Sequence, residues 1–318
     1  MAEKRMKLTH LTPQQKADAE RRRLDPLMRA LKAIRSAAPS ASMAKEDLER
    51  ERISQQVLGR LAAPMRGMSW ESFDLSGTPA AWVRPDRGHD RRRAILYCHG
   101  GGYTSGNLGY SQPLASKLCA VTGWDTLAFE YRLAPEHPYP AAPEDAMKAW
   151  DYLMYMGYGA RDVVVAGDSA GGNLALVLCL RLKELGRRLP GRLILMSPWT
   201  DMTAGGKSFR ERADIDPMLT PEYILAVREA YAQGADFASP MLSPLFGDLS
   251  GLPPTLIQVG SNEILYSDSV RLRDRMLAAQ VPCRLEVWKD AWHVFQMFPL
   301  RKASQAMESV GRFLLEEF

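Results

Sequence analysis

The sequence is poor in the features that mark exported, membrane-spanning or metal-bound proteins. Its four cysteines in 318 residues are widely separated and form no C-x-x-C pair, so neither a zinc site nor a thioredoxin-like motif is supported. The longest uninterrupted apolar run, residues 174–180, is far shorter than the roughly 20 residues that cross a bilayer. The N-terminal residues are charged and include no apolar segment typical of a secretory signal. We therefore expect a cytoplasmic protein with buried, reduced thiols and no stable membrane insertion.

Positive charge is concentrated at one end of the chain. The formal net charge is +4, but residues 1–60 hold 14 Lys and Arg against 8 Asp and Glu, and the remainder holds 27 against 29. A basic arm can bind nucleic acid or an anionic membrane surface. Acidic residues are interleaved throughout this arm and it contains no aromatic residue, so we expect the polar face of a surface helix and no nucleic-acid partner.

Short apolar runs alternate with helical patterns from about residue 69 onward. The middle runs, such as AILYCH and DVVVAG, are almost entirely apolar, which is typical of parallel strands buried on both faces. The predicted strands are residues 70–75, 81–84, 94–99, 126–131, 162–167, 192–197, 254–260 and 284–289, the first two forming an antiparallel edge pair. The clearest predicted helices are residues 143–156, 172–185, 267–279 and 300–317. The pattern predicts an α/β fold in which helices flank a mostly parallel, eight-stranded sheet.

Two segments interrupt this alternation. Residues 1–60 contain a helix start at Thr12 followed by an apolar stripe at helical spacing. Residues 200–250 contain a second helix start at Thr220 and are longer than a connecting loop needs to be. We predict that these two segments form a helical cap over the carboxyl edge of the sheet. The alternative for the N-terminal helix is self-association.

The motif that carries the chemistry is Gly167-Asp168-Ser169-Ala170-Gly171, between the apolar run VVVA and the helical run NLALVLCLRL. A G-x-S-x-G sequence between strand and helix forces a sharp, strained turn that exposes the serine hydroxyl. The helix that follows directs its N-terminal amides to the same place. We predict that Ser169 is a nucleophile, the alternative being a glycine-rich structural turn.

A run of glycines, Gly100 to Gly102, directly follows the predicted strand AILYC. Successive glycines let backbone N–H groups crowd one ligand oxygen, which is what an oxyanion hole requires, and the amide of Ala170 can supply another donor. Neither this run nor the later run at residues 205–208 matches a nucleotide-binding loop. A dinucleotide-binding loop would need glycine at position 105, which is Ser105, and a phosphate-binding loop would need glycine at position 201, which is Asp201.

A nucleophilic serine needs a base, and histidine is the usual one near neutral pH. The chain has five histidines, of which His10 and His89 lie in polar stretches and His137 in a turn. His99 begins the glycine run, where we expect it to fix the shape of the loop by hydrogen bonding. His293 alone follows the last predicted strand and is therefore the predicted base.

The acid that orients the base should follow the preceding strand. Glu263 is the first carboxylate after residues 254–260 and is our choice. Asp268 comes five residues later, within the next predicted helix, and Asp290 lies close to His293 in sequence. These two carboxylates remain alternatives.

These motifs together resemble the bacterial hormone-sensitive-lipase family of esterases. The resemblance spans residues 95–298 and rests on four stretches that occur in the family's order: residues 99–103, 131–145, 167–173 and 293–295. It implies an α/β-hydrolase fold with a helical cap. Residues 61–199 and 251–318 would then be the two parts of the catalytic domain, with 1–60 and 200–250 as the cap.

The resemblance also implies roles for individual residues. The implied triad is Ser169, Glu263 and His293. The implied oxyanion donors are the amides of Gly100, Gly101 and Ala170, with His99, Gly102 and Asp168 supporting the loops. The family commonly has Asp at the acid position, within D-x-L-x-x-[DE], where this chain has Glu263. The extra methylene must be absorbed by a shifted backbone or by a different approach to the imidazole.

The function expected from these features is that of a serine carboxylesterase that acts on short- to medium-chain esters through an acyl-enzyme. Nothing in the motifs requires a metal or an organic cofactor, and the family resemblance is compatible with a homodimer. Two alternatives use the same residues. One is a non-catalytic small-molecule binding protein on a hydrolase scaffold, as in the plant gibberellin receptors. The other is an amidase or lactonase with the same triad.

Overall fold

The structure is a computed structural model that describes residues 44–62, 65–86, 88 and 90–316. The helix start predicted at Thr12, the apolar stripe after it, and the histidines at positions 10 and 89 lie outside the described residues. The N-terminal segment is therefore described only from residue 44 onward.

Eight strands form one sheet in the order β1-β2-β4-β3-β5-β6-β7-β8. β1 pairs with β2 and β2 with β4 in antiparallel fashion, and every other pair is parallel. The strands are β1 (Met68–Leu75), β2 (Thr78–Pro85), β3 (Asp90–Cys98), β4 (Trp124–Phe129), β5 (Val163–Asp168), β6 (Arg192–Met196), β7 (Thr255–Gly260) and β8 (Cys283–Trp288). All eight predicted strands and the antiparallel edge pair are confirmed. β4, β5 and β7 are buried along their whole length, which is why their sequences are almost entirely apolar.

Eight α-helices lie within the described residues. They are α1 (Lys45–Ala62), α2 (Leu108–Thr122), α3 (Ala141–Tyr155), α4 (Ala170–Glu184), α5 (Ser208–Glu211), α6 (Pro221–Ala232), α7 (Tyr266–Ala278) and α8 (Arg301–Leu315). The four clearest predicted helices are α3, α4, α7 and α8. The helix start at Thr220 is also confirmed, because its hydroxyl accepts a hydrogen bond from the amide of Tyr223 and so caps α6.

α2 is absent from the helices predicted above, and Pro113, normally a helix breaker, lies inside it. Two caps define its ends. The side chain of Asn107 accepts a hydrogen bond from the amide of Tyr110, and Gly123 ends the helix in the left-handed conformation at φ 71°. None of the described helices combines the length and the apolarity of a bilayer-spanning segment.

The register of the parallel strands aligns the loops that carry the predicted site. Cys98 of β3 lies opposite Gly167 of β5, and Asp168 of β5 lies opposite Met196 of β6. The same alignment continues through β7 to β8, where Gly260 faces Trp288. The glycine loop, the Ser169 turn and the segments after β6, β7 and β8 therefore leave the same edge of the sheet side by side. In open α/β sheets this is the edge at which ligands bind.

The helix after β5 approaches the sheet so closely that its second residue must lack a side chain. A Cβ placed on Gly171 would lie 2.0 Å from the backbone oxygen of Cys98 and 2.5 Å from that of His99. Both obstacles are main-chain atoms, one from the last residue of β3 and one from the loop after it, and they cannot rotate away. This contact sets the distance between the Ser169 turn and the glycine loop.

We expect Gly171→Ala to lower the free energy of unfolding by about 3 kcal/mol, because the new methyl group must displace backbone. Gly157→Ala is the control: it has a positive φ of 91° but nothing within 4 Å of the new Cβ. The control should lower the free energy of unfolding by only about 1 kcal/mol, which is the cost of placing alanine in the left-handed conformation. Urea unfolding of both variants measures the difference, and equal losses would contradict the close approach at Gly171.

Candidate active site

Ser169 occupies a strained turn between β5 and α4. Its backbone has φ 53° and ψ −120°, which a residue with a side chain rarely adopts. The amide of Ser169 donates to Met196 O at 2.9 Å, and its carbonyl accepts from the amide of Trp199 at 3.0 Å. Hydrogen bonds to the segment after β6 thus hold the turn in this conformation. The side chain stands at the first turn of a helix, beside the amide of Ala170.

The glycine loop after β3 is tied to this turn by Asp168. The amide of Gly100 donates to Asp168 Oδ1 at 3.0 Å. This contact corrects the prediction that Gly100 supplies an oxyanion donor, because its N–H group is already used. The following residues, Gly101 and Gly102, have φ values of 111° and 62°, and no described acceptor takes a hydrogen bond from either amide. A Cβ on Gly101 would lie 2.3 Å from Ser105 O, so no other residue fits there.

Asp168 is fully buried and accepts hydrogen bonds from two tyrosine hydroxyls, those of Tyr97 and Tyr110. Burial raises the pKa of the Asp168 carboxyl, and these hydroxyls and the amide of Gly100 oppose that rise by stabilising the carboxylate. The motif alone does not reveal the two tyrosines, which come from β3 and α2. Asp168 therefore links the Ser169 turn to the glycine loop and to the side chains of β3 and α2.

His99 shapes the same loop. Its Nδ1 lies 2.7 Å from Gly100 O, and its ring stacks on Tyr131 with ring centres 4.1 Å apart. Burial lowers the pKa of His99 to about 4, so the imidazole is neutral at physiological pH. A neutral, stacked ring suits the predicted loop-supporting role and not that of a base.

Glu263 and His293 form a buried pair at the ends of β7 and β8. His293 Nδ1 lies 3.0 Å from Glu263 Oε2, and the carboxylate is completely buried. Its other oxygen accepts from the hydroxyl of Ser197 at 2.8 Å and from the amide of Gly260. Each carboxylate oxygen therefore has a defined partner, and the longer Glu side chain is held in one orientation.

The charge of this pair favours a protonated imidazole. Burial opposes the charged form of His293, but the hydrogen bond to Glu263 and its negative charge outweigh that effect and raise the pKa of the imidazole. The carboxylates of Asp216 and Asp168 add to the same field. A histidine in this setting can accept a proton at Nε2 while Nδ1 stays bound to the carboxylate.

The two alternative acids do not contact the imidazole. Asp268 Oδ2 accepts from the amides of Thr200 and Asp201 at 2.8 and 3.0 Å. Burial and the neighbouring Asp201 raise the pKa of Asp268 to about 7. Asp290 is exposed, and its amide donates to the hydroxyl of Ser261. Of the three carboxylates considered as the acid from the sequence, only Glu263 contacts His293.

Ser197, the first residue after β6, was not identified as a site residue from the sequence. Its hydroxyl donates to Glu263 and accepts from the amide of Val294 at 3.1 Å. Ser197 and Val294 both have positive φ values, 50° and 49°, and for a β-branched valine this is a genuine outlier. One side chain thus fixes the acid and the segment after the base. Its position at a strand end was the only signal that could have identified it.

A partly buried lysine binds the residues after His293. Lys117 Nζ of α2 donates to the carbonyls of Gln296, Met297 and Phe298 at 2.6, 2.9 and 3.0 Å. These carbonyls belong to a short 3-10 helix and the residue that ends it. Burial lowers the pKa of Lys117 to about 8. α2 therefore supports both ends of the site, through Tyr110 and Lys117.

Across the described ranges, no group of three or more His, Cys, Asp or Glu side chains is arranged to hold a metal ion. All four cysteines are free thiols, three of them buried.

Comparison with known proteins places these features in a family. A family model described as the alpha/beta hydrolase fold matches residues 95–297. An acetyl-hydrolase of Streptomyces hygroscopicus is 36% identical over 263 residues, covering 82% of this chain and 86% of its own. An esterase of Acinetobacter venetianus is 38% identical over 222 residues, covering 69% of this chain and 73% of its own.

Solved structures agree with these sequence matches. The crystal structure of EstE5 superposes with a TM-score of 0.85 at 35% identity, covering 92% of this chain and 97% of that one. An esterase described as belonging to the bacterial hormone-sensitive lipase family gives a TM-score of 0.85 at 36% identity, covering 92% and 96%.

The two buried imidazoles should titrate on opposite sides of the ordinary value of 6.5. With histidine labelled by carbon-13 at Cε1, NMR should give His99 a pKa of about 4 and His293 a pKa above the ordinary value. Glu263→Gln should lower the His293 value because it removes the adjacent negative charge. Asp290→Asn, which alters an exposed carboxylate near His293 in sequence, is the control and should leave it in place. An unchanged His293 titration in Glu263→Gln would refute the ion pair.

Proposed function

The chain belongs to the α/β-hydrolase-fold family and is a carboxylic ester hydrolase of the hormone-sensitive-lipase type; we propose that it hydrolyses short- to medium-chain esters through an acyl-enzyme on Ser169. The observation that carries the proposal is the buried Glu263–His293 pair, at 3.0 Å, on the same sheet edge as the strained Ser169 turn. A nucleophile, a base and an orienting acid are the minimum set for this chemistry.

In the first half of the reaction, His293 Nε2 takes the proton of Ser169 Oγ as this oxygen attacks the ester carbonyl carbon. Glu263 holds Nδ1, so the tautomer that presents a free Nε2 lone pair is the one available. The charged imidazole that results is stabilised by the adjacent carboxylate. It then protonates the leaving alcohol, and the acyl group remains on Ser169.

In the second half, water takes the place of the alcohol. His293 removes a proton from the water as its oxygen attacks the acyl carbon, and then returns a proton to Ser169 Oγ. The carboxylic acid leaves and the enzyme is restored. No step requires a group other than the side chains and amides of this chain.

The negative oxygen of each tetrahedral intermediate needs donors, and we propose the amides of Gly101, Gly102 and Ala170. Gly102 replaces Gly100, whose amide is bound to Asp168. In support, no described acceptor binds the amides of Gly101, Gly102 or Ala170. Donors of this type are each worth about 3 kcal/mol of barrier, because they are fixed before the charge develops.

We also propose that α1, the described part of the 1–60 segment, and residues 200–250 act as the cap over this site. Two contacts support it in the described parts. Arg52 of α1 donates to the carbonyl of Thr104, which follows the glycine loop, and to that of Ala134, whose amide donates to the carbonyl of Tyr103. In α6, the hydroxyl of Tyr223 and the side chain of Val227 lie 3.2 Å from the position of a Cβ on Gly102.

The same contacts bear on the size of the substrate. Side chains of α6 lie directly over the glycine loop, and Tyr103 in that loop stacks on Tyr231 with ring centres 3.8 Å apart. Both rings are buried, and we propose that they limit the space beside the oxyanion donors and so favour short acyl groups. One relative is named an acetyl-hydrolase, in agreement with a small acyl group. A cytoplasmic location and a homodimer remain predictions.

The first test is hydrolysis of p-nitrophenyl esters from acetate to palmitate by the wild type and Ser169→Ala. Activity should be highest with short acyl chains, and the variant should lose about 10⁶-fold in kcat, as expected when a nucleophile is removed. Lack of activity on every ester would refute the proposal. Equal activity with palmitate and acetate would refute the acyl-size assignment alone.

The second test concerns the acid. Glu263→Gln should lower kcat by about 10⁴-fold, because the imidazole loses both its orientation and its counter-charge. Asp268→Asn and Asp290→Asn are matched carboxylate-to-amide controls and should stay within about tenfold of the wild type. Near-normal activity of Glu263→Gln together with a large loss in either control would reassign the acid.

A further inference from the structure

A third carboxylate, Asp216, reaches the site from the 200–250 segment. It is completely buried, and its two oxygens have different partners. Oδ1 accepts from the amides of Met218 and Leu219 at 2.9 and 3.0 Å, and Oδ2 accepts from the amide of Ile264 at 2.9 Å. Ile264 directly follows Glu263, so Asp216 binds the backbone that carries the triad acid.

The two oxygens of Asp216 serve separate purposes. The Oδ1 contacts form a local turn in which an aspartate accepts from amides two and three residues later. This turn leads to Thr220, which caps α6. A local turn needs only one oxygen, so it does not account for the contact between Oδ2 and Ile264, which joins positions 48 residues apart.

The ionised form of Asp216 suits this arrangement. Three N–H groups converge on the two oxygens, and a carboxylate can accept from all of them. Burial raises the pKa of Asp216, while the charge of His293 and the three amides oppose that rise. The charged groups that raise the pKa of His293 most are Glu263 after β7, then Asp216, then Asp168 at the end of β5.

We propose that Asp216 is a positioning residue for the reaction: it fixes the backbone of Glu263 through Ile264 and supplies a further buried negative charge that stabilises the imidazolium of His293. This inference rests on the proposed role of His293 as base. In that role the imidazole becomes positive at each transition state, and only a charge that is fixed beforehand lowers the barrier without reorganisation. The 200–250 segment would then contribute to catalysis as well as cover the site.

The test compares Asp216→Asn with Asp201→Asn. Asp201 is also a buried aspartate of the 200–250 segment and also accepts backbone amides, those of Thr203 and Gly205. It is not among the largest influences on the pKa of His293. Each variant is measured by the pH profile of kcat/KM and by the NMR titration of the His293 ring, after its fold is checked by circular dichroism and thermal unfolding.

In Asp216→Asn, the acid limb of the profile and the His293 titration should both move to lower pH by about half a unit or more. kcat should fall about tenfold while KM stays within about twofold, because the charge acts on the transition state. Asp201→Asn should change the unfolding temperature but leave the His293 titration in place. A folded Asp216→Asn variant with an unchanged titration, or the same shift in both variants, overturns the proposal.

A second variant covers the case in which Asp216→Asn does not fold. Asp216→Ser removes the charge but keeps a hydroxyl that can accept from Met218 and Leu219. If neither variant folds, Asp216 has a purely structural role and the proposal is wrong. The NMR titration reports on the ring itself, so it remains decisive for Asp216 even if the ester assay shows that the proposed function is wrong.

Discussion

The site depends on one constraint, the register of five neighbouring parallel strands. β3, β5, β6, β7 and β8 end at the same edge of the sheet, and each is followed by one part of the site: the glycine loop, Ser169, Ser197, Glu263 and His293. These parts are far apart in sequence and come together only because the strand ends are aligned. A slip of one residue in any pair would turn every following side chain to the opposite face of the sheet.

The alignment brings buried carboxylates close together. Hydrogen-bond donors from the surrounding structure offset the free-energy cost of burying their negative charge. Asp168 is satisfied by two tyrosines and the amide of Gly100, Glu263 by Ser197 and Gly260, and Asp216 by three amides. Buried carboxylates without such donors would be strongly destabilising. Two residues with positive φ values belong to this network: Ser197 donates to Glu263, and Val294 donates to Ser197. Backbone strain and buried charge are therefore two aspects of the same arrangement.

The sequence predicts the strands and singles out Glu263 and His293, whose side chains are in contact, because the signals for both lie in short stretches of the chain. Buried parallel strands are continuous apolar runs, and the G-x-S-x-G motif with a late histidine has a fixed order along the chain. The sequence does not predict the use of the Gly100 amide, nor the roles of Ser197 and Asp216. Their partners lie 68, 66 and 48 residues away, and a hydrogen bond across that separation depends on tertiary geometry that no local pattern encodes. The Gly100 prediction was wrong for this reason, since a glycine run shows which amides are accessible but not which are already bound.

The close approach at Gly171 has a consequence for how this protein's relatives should be judged. The residue lacks a side chain because backbone oxygens occupy the space, whatever happens at the neighbouring serine. A descendant that lost its activity would still need glycine here to fold. The glycines of the motif would therefore persist under selection for packing alone, long after selection for turnover had ended. The glycines of the motif therefore indicate common ancestry, whereas retained catalytic activity must be inferred from the serine and from the paired glutamate and histidine.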